Sequence, residues 1–288
     1  MLDCVVIGSG LAGISAALTL RANGKSFKMF GAKDLSEKVV RAERIDNYPG
    51  LSSISGADFC DALSKQLEDA QIKVEENRAT GVFAMKDKVV TSLQSGDIIE
   101  SKTVILACGV ESVKEVDGEA EFLGRGVSYC ATCDGFLYKG KTIAVVSTSK
   151  RYEHEVEYLA DLAKTVYFIP LYKNAVLDRE NVVKQVAKIK KIDGKKRVEK
   201  MIFQGKDGEK EIAIDGVFFL KDSISPSALV GGIAMQDGHI VVDREMKTNL
   251  KGIYAAGDCT GRPYQYAKAV GEGNVAAHAV TKYCAENN

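Results

Sequence analysis

The chain has 288 residues, 45% hydrophobic and 27% charged, enough to bury one large core or two moderate ones. Its 39 Lys+Arg balance 39 Asp+Glu, so no net field draws it to nucleic acid or a membrane surface, and no apolar run approaches the ~20 residues of a membrane span. Seven scattered cysteines, an odd number, do not make a secreted disulfide framework; with no signal-like segment ahead of the first strand, the sequence predicts a cytoplasmic protein whose one close cysteine pair is catalytic or metal-binding.

A strand is predicted over 2–7, followed by Gly8-Ser9-Gly10-Leu11-Ala12-Gly13, a helix to about Asn23 and a second strand over 27–30. This is a G-x-G-x-x-G turn in its strand-turn-helix setting. Gly8 allows the tight turn, Gly10 lets the backbone approach a pyrophosphate, and Gly13 lets the helix pack on the strand with its positive end at the anion. The acid that usually holds a ribose at the end of the second strand is missing. Met29-Phe30-Gly31 stands there, with Asp34 the nearest acid, so the fingerprint does not by itself specify NAD and leaves a flavin dinucleotide open.

Further along, Cys130-Ala131-Thr132-Cys133-Asp134-Gly135 places two thiols at i, i+3, a spacing that closes a small, readily exchanged disulfide, with Asp134 beside it as a proton source. A zinc half-site would need a second pair or a Cys/His cluster. Cys4, Cys60, Cys108, Cys259 and Cys284 stand alone, and His154, His239 and His278 do not group with them, so no metal is expected.

A second cassette follows: strand 142–146, helix 152–163 with Val156, Leu159, Ala160 and Ala163 on one face, and strand 165–169. Its loop, however, reads Ser147-Thr148-Ser149-Lys150-Arg151-Tyr152, with side chains at all three glycine positions, and Pro170-Leu171-Tyr172 stands where arginines for a 2'-phosphate would be wanted. The scaffold is predicted without its nucleotide site. Lys188, Lys190, Lys191, Lys195, Lys196, Arg197 and Lys200 then flank a predicted turn at Asp193-Gly194, read chiefly as a solvated hairpin, with Lys150 and Arg151 as another basic patch.

Near the C-terminus, Gly252-Ile253-Tyr254-Ala255-Ala256-Gly257-Asp258 reads as a buried strand ending in a carboxylate suited to a sugar-like hydroxyl. It leads through Pro263-Tyr264-Gln265 into a helix over 266–284. Taken with the first glycine turn, this pattern favours FAD. Cys259 is read as a small buried side chain.

The chain resembles the low-molecular-weight thioredoxin reductases along nearly its whole length, through Gly8 to Gly13, Asn47-Tyr48-Pro49-Gly50, the segment from Gly124 to Phe136 containing the cysteine pair, and Ala255-Ala256-Gly257-Asp258. The fold this implies is α/β, two Rossmann-like three-layer nucleotide-binding-type domains with the second inserted into the first. Residues 1–113 and 222–288 would form a discontinuous FAD-binding domain and 114–221 the disulfide-bearing domain, with crossings at Val113-Lys114 and Asp222-Ser223. The resemblance implies FAD held by Gly8, Ser9, Gly10, Leu11, Ala12, Gly13, Phe30, Gly31, Asn47, Ala107, Gly109, Gly257, Asp258, Tyr264 and Gln265. It also implies a Cys130-Cys133 redox disulfide with Cys133 nearest the flavin ring, Asp134 as general acid-base, thioredoxin as acceptor, a homodimer and a rotating inserted domain.

The departures are the lost glycine loop and basic pair, Ser36-Glu37-Lys38-Val39 in place of Gly-Gly-Gln-Leu, and Ala107-Cys108-Gly109 in place of Ala-Thr-Gly. They make the chain look like the ferredoxin-dependent flavin thioredoxin reductases, which do not use NADPH. Energetics permit that donor: from roughly −400 mV for plant-type ferredoxins to roughly −270 mV for thioredoxin, a two-electron transfer releases about 6 kcal/mol. A flavin converts single electrons to the pair a disulfide needs. The alternatives are an NADPH-dependent reductase with an aberrant loop, a dithiol flavoenzyme with another donor such as flavodoxin or another protein substrate, and a non-enzymatic redox sensor. Bleaching of the flavin by NADPH would mark the first of these, and failure of the reduced protein to reduce any thioredoxin the last.

Overall fold

The computed structural model describes every residue except 34, 41, 52, 111–115, 206–207, 222–224 and 288, and the side chains of 37 and 38. Asp34 and the crossings expected at Val113-Lys114 and Asp222-Ser223 therefore lie outside the described residues. The chain begins with β1 (Leu2–Ile7), α1 (Leu11–Ala22), β2 (Phe27–Phe30), α2 (Glu37–Val40), α3 (Gly56–Asp69), β3 (Val74–Glu75), β4 (Ala79–Ala84), β5 (Val89–Leu93) and β6 (Ile98–Leu106). The middle holds β7 (Val127–Ser128), α4 (Ala131–Asp134), β8 (Thr142–Ser147), α5 (Glu153–Leu162), β9 (Thr165–Pro170), β10 (Val182–Lys184), β11 (Lys188–Gly194), β12 (Val198–Gly205), β13 (Gly208–Ala213) and β14 (Gly216–Leu220). It closes with α6 (Pro226–Leu229), β15 (Met235–Gln236), β16 (His239–Ile240), β17 (Ile253–Ala255) and α7 (Tyr266–Glu286).

Two compact units result, one of Met1–Leu93, Asp97–Val110 and Leu229–Asn288, the other of Gln94–Gly96 and Glu111–Ala228. In the first, the sheet runs β3-β2-β1-β6-β5-β4, with β17 also paired to β6. Its centre is parallel, with Cys4 opposite both Phe27 and Thr103 and Ala255 opposite Leu106, which is why Cys4-Val5-Val6-Ile7 is an unbroken apolar run with both faces covered. Helices α1 and α7 approach closely through small residues. A Cβ on Gly273 would lie 2.1 Å from the Ala12 carbonyl oxygen, so only glycine fits there.

The second unit carries a parallel sheet in the order β10-β9-β8-β14-β7 and an antiparallel sheet β11-β12-β13. Ile143, Val145, Phe168, Phe218 and Leu220 from its strands meet Val156 and Leu159 of α5 in one core, where Tyr138 packs edge-on to Phe218 at 5.2 Å. Both units are Rossmann-like α/β assemblies, as the strand-helix alternation predicts. Two local expectations need correction. Strand β8 runs one residue further than predicted because Ser147 still pairs with Pro170 and Leu220. The lysine-rich hairpin turns at residues 195–197, since Asp193 and Gly194 remain in the ladder opposite Lys200 and Val198.

Candidate functional site

In the first unit, β1 delivers the chain to a turn that only glycines can make. Gly8 has φ +117°, and a Cβ there would stand 2.2 Å from the Ala107 carbonyl oxygen; one on Gly13 would stand 1.9 Å from the Gly8 oxygen. Gly8 N–H donates to Phe30 O at 2.8 Å and Ala107 N–H to Ile7 O at 2.8 Å, so β2 and the end of β6 brace the turn. Gly10 differs. It caps α1 with no side-chain hydrogen bond, and the space beside its Cα is open for 4 Å. An uncapped positive helix end facing open space beside a glycine fits a pyrophosphate.

Other predicted cofactor residues divide between walls and support. Ser9 is buried and donates to Ala32 O at 2.9 Å or Leu35 O at 3.1 Å; Gly31 leaves it room, since a Cβ on Gly31 would meet Ser9 Oγ at 2.6 Å. The side chains of Leu11, Ala12 and Phe30 are buried in the core, and Gly109 turns with φ +67°. At the far end, the Asn47 side-chain amide donates to Gln265 Oε1 at 2.8 Å, and Tyr264 hydroxyl and His239 Nε2 are 2.7 Å apart. Gly257, φ +90°, leads into a short 3-10 turn over Asp258–Thr260.

Lys268 and Glu272, one turn apart on α7, hold that 3-10 turn, and the sequence reading missed both. Lys268 Nζ donates to Gly257 O at 2.9 Å, Thr260 Oγ1 at 3.0 Å and Gly261 O at 2.7 Å, while Glu272 accepts from Gly257 N–H and Thr260 Oγ1, each at 2.8 Å. Their opposite charges at i, i+4 were the available signal. The residues that line this end of the sheet fit a dinucleotide with a polyhydroxyl chain.

In the second unit, Cys130 and Cys133 are joined in a disulfide with Cα atoms 5.3 Å apart, at the start of α4. Cys130 is buried and Cys133 exposed, and the Cys133 amide donates to Cys130 Sγ at 3.1 Å. Asp134, half-buried, accepts from Ser128 Oγ at 2.7 Å, while the same hydroxyl oxygen takes the Cys130 N–H at 3.1 Å. Ser128 was also missed; it lies on the strand that leads into the motif. Phe136 and Leu137 follow, 68% and 65% exposed. Two large apolar side chains held in solvent beside a redox disulfide suit a protein partner.

The turn after β8 is filled from within. Ser147 Oγ donates to Ser149 O at 3.0 Å and Thr148 N–H to Leu220 O at 3.0 Å. Glu153 and Glu155 stand in the first turn of α5, and Glu153 Oε1 accepts from Tyr172 hydroxyl at 2.9 Å and Val176 N–H at 3.3 Å. Burial and that carboxylate push the Tyr172 phenol up. Acidic side chains thus already answer the positive helix end that would meet a pyrophosphate. Over the ends of β8 and β14 lies a cavity of about 400 Å³ whose wall includes Lys221 and Glu119. These form a buried ion pair at 2.5 Å, with Tyr129 hydroxyl donating to the same carboxylate at 2.7 Å.

Three cations of the lysine hairpin have acidic partners: Lys190 pairs with Glu209, Lys191 with Asp193 at 3.3 Å and Lys200 with Glu211 at 2.9 Å. Among the described residues no three metal-ligating side chains cluster, and no helix is long and apolar enough to cross a membrane.

The family model of pyridine nucleotide-disulphide oxidoreductases matches residues 2–148 and 169–273. The thioredoxin reductase of Mycoplasma genitalium is 32% identical over 94% of this chain and 91% of its own, and that of Treponema pallidum 31% over 98% and 96%. Among solved structures, a ferredoxin-flavin thioredoxin reductase from Clostridium acetobutylicum superposes with a TM-score of 0.88 at 41% identity, covering 99% of this chain and 98% of its own.

Proposed function

The chain belongs to the pyridine nucleotide-disulphide oxidoreductase family, among its thioredoxin reductase flavoproteins, and from that premise we propose that it reduces thioredoxin with electrons from reduced ferredoxin rather than from NADPH. These enzymes carry FAD, and the cradle around Gly10 fits it. The observation that carries the donor assignment is the occupied turn after β8: Ser147 closes on Ser149 O, Thr148 is tied to Leu220 O, and Glu153 sits where a pyrophosphate would need a positive helix end. The name of the Clostridium acetobutylicum protein supports it, since ferredoxin and flavin both stand there.

On this reading Gly8 to Gly13, Gly31, Asn47, Ala107, Gly109, Gly257, Asp258, Tyr264 and Gln265 hold FAD, with Ser9 and Phe30 packing behind the turn. When bound, the flavin supplies the exchange between single electrons and pairs. Reduction of the Cys130–Cys133 bond by two electrons and one proton yields one thiol and one thiolate, and Asp134 relays that single proton from solvent to the sulfur that becomes the thiol. Ser128 fixes the carboxyl group for this step. A cysteine thiolate then attacks the thioredoxin disulfide, forming a mixed disulfide that the second cysteine resolves. Phe136 and Leu137 give the partner an apolar landing beside the motif. The protein acts as a cytoplasmic homodimer.

Anaerobic reconstitution tests this. Chemically reduced ferredoxin, the holoenzyme and thioredoxin should yield thioredoxin thiols catalytically. Cys130→Ser and Cys133→Ser should each abolish thiol production while flavin reduction by ferredoxin persists; thiol production by either variant would contradict the role of the pair.

A further inference from the structure

The first unit contains two more sulfurs placed side by side. Cys108 follows the end of β6 in the Ala107-Cys108-Gly109 segment, and Cys259 lies in the 3-10 turn after β17, the strand paired to β6. The Cys259 thiol lies 3.4 Å from Leu106 O and 3.3 Å from Ala256 O, which pins it against the main chain two residues before Cys108, and it hydrogen-bonds the Cys108 side chain. Cys259 is 1% exposed, whereas Cys108 is half-buried.

We propose that Cys108 and Cys259 are a second oxidisable dithiol, a modification site for hydroperoxides distinct from the Cys130–Cys133 pair. Cys108 is the attacking sulfur because it is the less buried of the two, and Cys259 is the resolving thiol. The hydrogen bond to Cys108, then burial, push the Cys259 thiol well up, which leaves Cys108 as the sulfur that reacts first.

The chemistry balances without another reagent. Cys108 sulfur attacks one oxygen of the hydroperoxide; an S–O bond forms, the O–O bond breaks, and the leaving oxygen takes the Cys108 proton and departs as water or an alcohol. Cys259 sulfur then attacks the resulting sulfenic acid; an S–S bond forms, the S–O bond breaks, and the hydroxyl leaves as water with the Cys259 proton. Two thiols are oxidised by two electrons and one peroxide is reduced. The product ties the end of β6 to the turn after β17, both of which border the Gly8 turn.

The test uses holoenzyme carrying Cys130→Ser and Cys133→Ser, treated with one equivalent of hydrogen peroxide, alkylated, digested and analysed by mass spectrometry. The expected result is a Cys108–Cys259 linked peptide, two hydrogens lighter than the reduced pair and reversed by dithiothreitol. Adding Cys259→Ser should abolish that species and leave Cys108 as its sulfenic or sulfinic acid. The unsubstituted holoenzyme, reduced beforehand with dithiothreitol, desalted and treated with two equivalents of peroxide, one for each dithiol, should contain both disulfides, so the result does not depend on how the variants fold. Recovery of both cysteines alkylated, or oxidised Cys108 beside an alkylated Cys259, would overturn the proposal.

Discussion

Ser128 Oγ lies 2.7 Å from the Asp134 carboxylate and accepts the Cys130 amide hydrogen at 3.1 Å, so one hydroxyl joins the proposed proton-transfer group to the backbone of the redox pair. Asp134→Asn should slow thioredoxin reduction by roughly 10²-fold, the usual worth of a positioned proton donor. Ser128→Ala should slow it roughly tenfold, equivalent to a charge-assisted hydrogen bond of about 1.5 kcal/mol. Ser128→Thr should restore most of the rate. Stopped-flow records of thiol formation and flavin absorbance separate this from any effect on the donor step, which all three variants should leave intact.

The glycines of the first turn should fail in different ways. Gly13→Ala drives a Cβ to 1.9 Å from the Gly8 oxygen and should cost about 1–3 kcal/mol of stability. Gly10→Ala meets no atom within 4 Å, so the apoprotein should keep its stability to within about 1 kcal/mol. Its methyl would enter the space assigned to the pyrophosphate, and FAD affinity should fall at least roughly tenfold. Denaturant melts of apoprotein and flavin fluorescence titrations check the two effects.

The Glu119–Lys221 pair is 1% and 4% exposed at its side chains. Lys221→Met leaves a buried carboxylate that, among the described residues, keeps the Tyr129 hydroxyl and the Val116 amide as donors, and should cost about 3–5 kcal/mol. Lys191→Met, removing an exposed partner of Asp193, should cost less than about 1 kcal/mol. Urea unfolding of the two variants gives the contrast.

Burial pushes the Cys4 thiol up to about 12 in the native protein. Above the ordinary thiol value of roughly 8.5, the unfolded chain loses this proton while the folded chain keeps it. The folded state then binds more protons, so stability declines as pH rises. The contribution is complete below about pH 8.5 and falls by up to about 1.4 kcal/mol per pH unit toward the native value. Cys4→Ala should flatten the alkaline slope of the unfolding midpoint; an unchanged slope would count against this origin.

Much of the scaffold was legible because periodicity changes sharply at its joints. Cys4-Val5-Val6-Ile7 gives way at Gly8 to a helical pattern, and Thr142 to Val146 gives way to Val156, Leu159 and Ala160 on one helix face. The side chains replacing glycine after β8 were also visible. The support residues were harder to read. Glu119 and Lys221 are 102 residues apart, and nothing local marks them as partners. Ser128 acts through a bend in the chain, and Glu153 takes its meaning from Tyr172, which returns to it only in the folded sheet. The turn residue of the lysine hairpin was misplaced because Asp193-Gly194 has turn chemistry, yet the ladder continues through both.

The point at which electrons enter separates ferredoxin-driven from NADPH-driven turnover. Purified holoenzyme should be titrated anaerobically, first with NADPH and then with chemically reduced ferredoxin, while flavin absorbance is followed. The expected record is an unchanged spectrum with NADPH and stoichiometric bleaching with ferredoxin. Rapid bleaching by NADPH would contradict it.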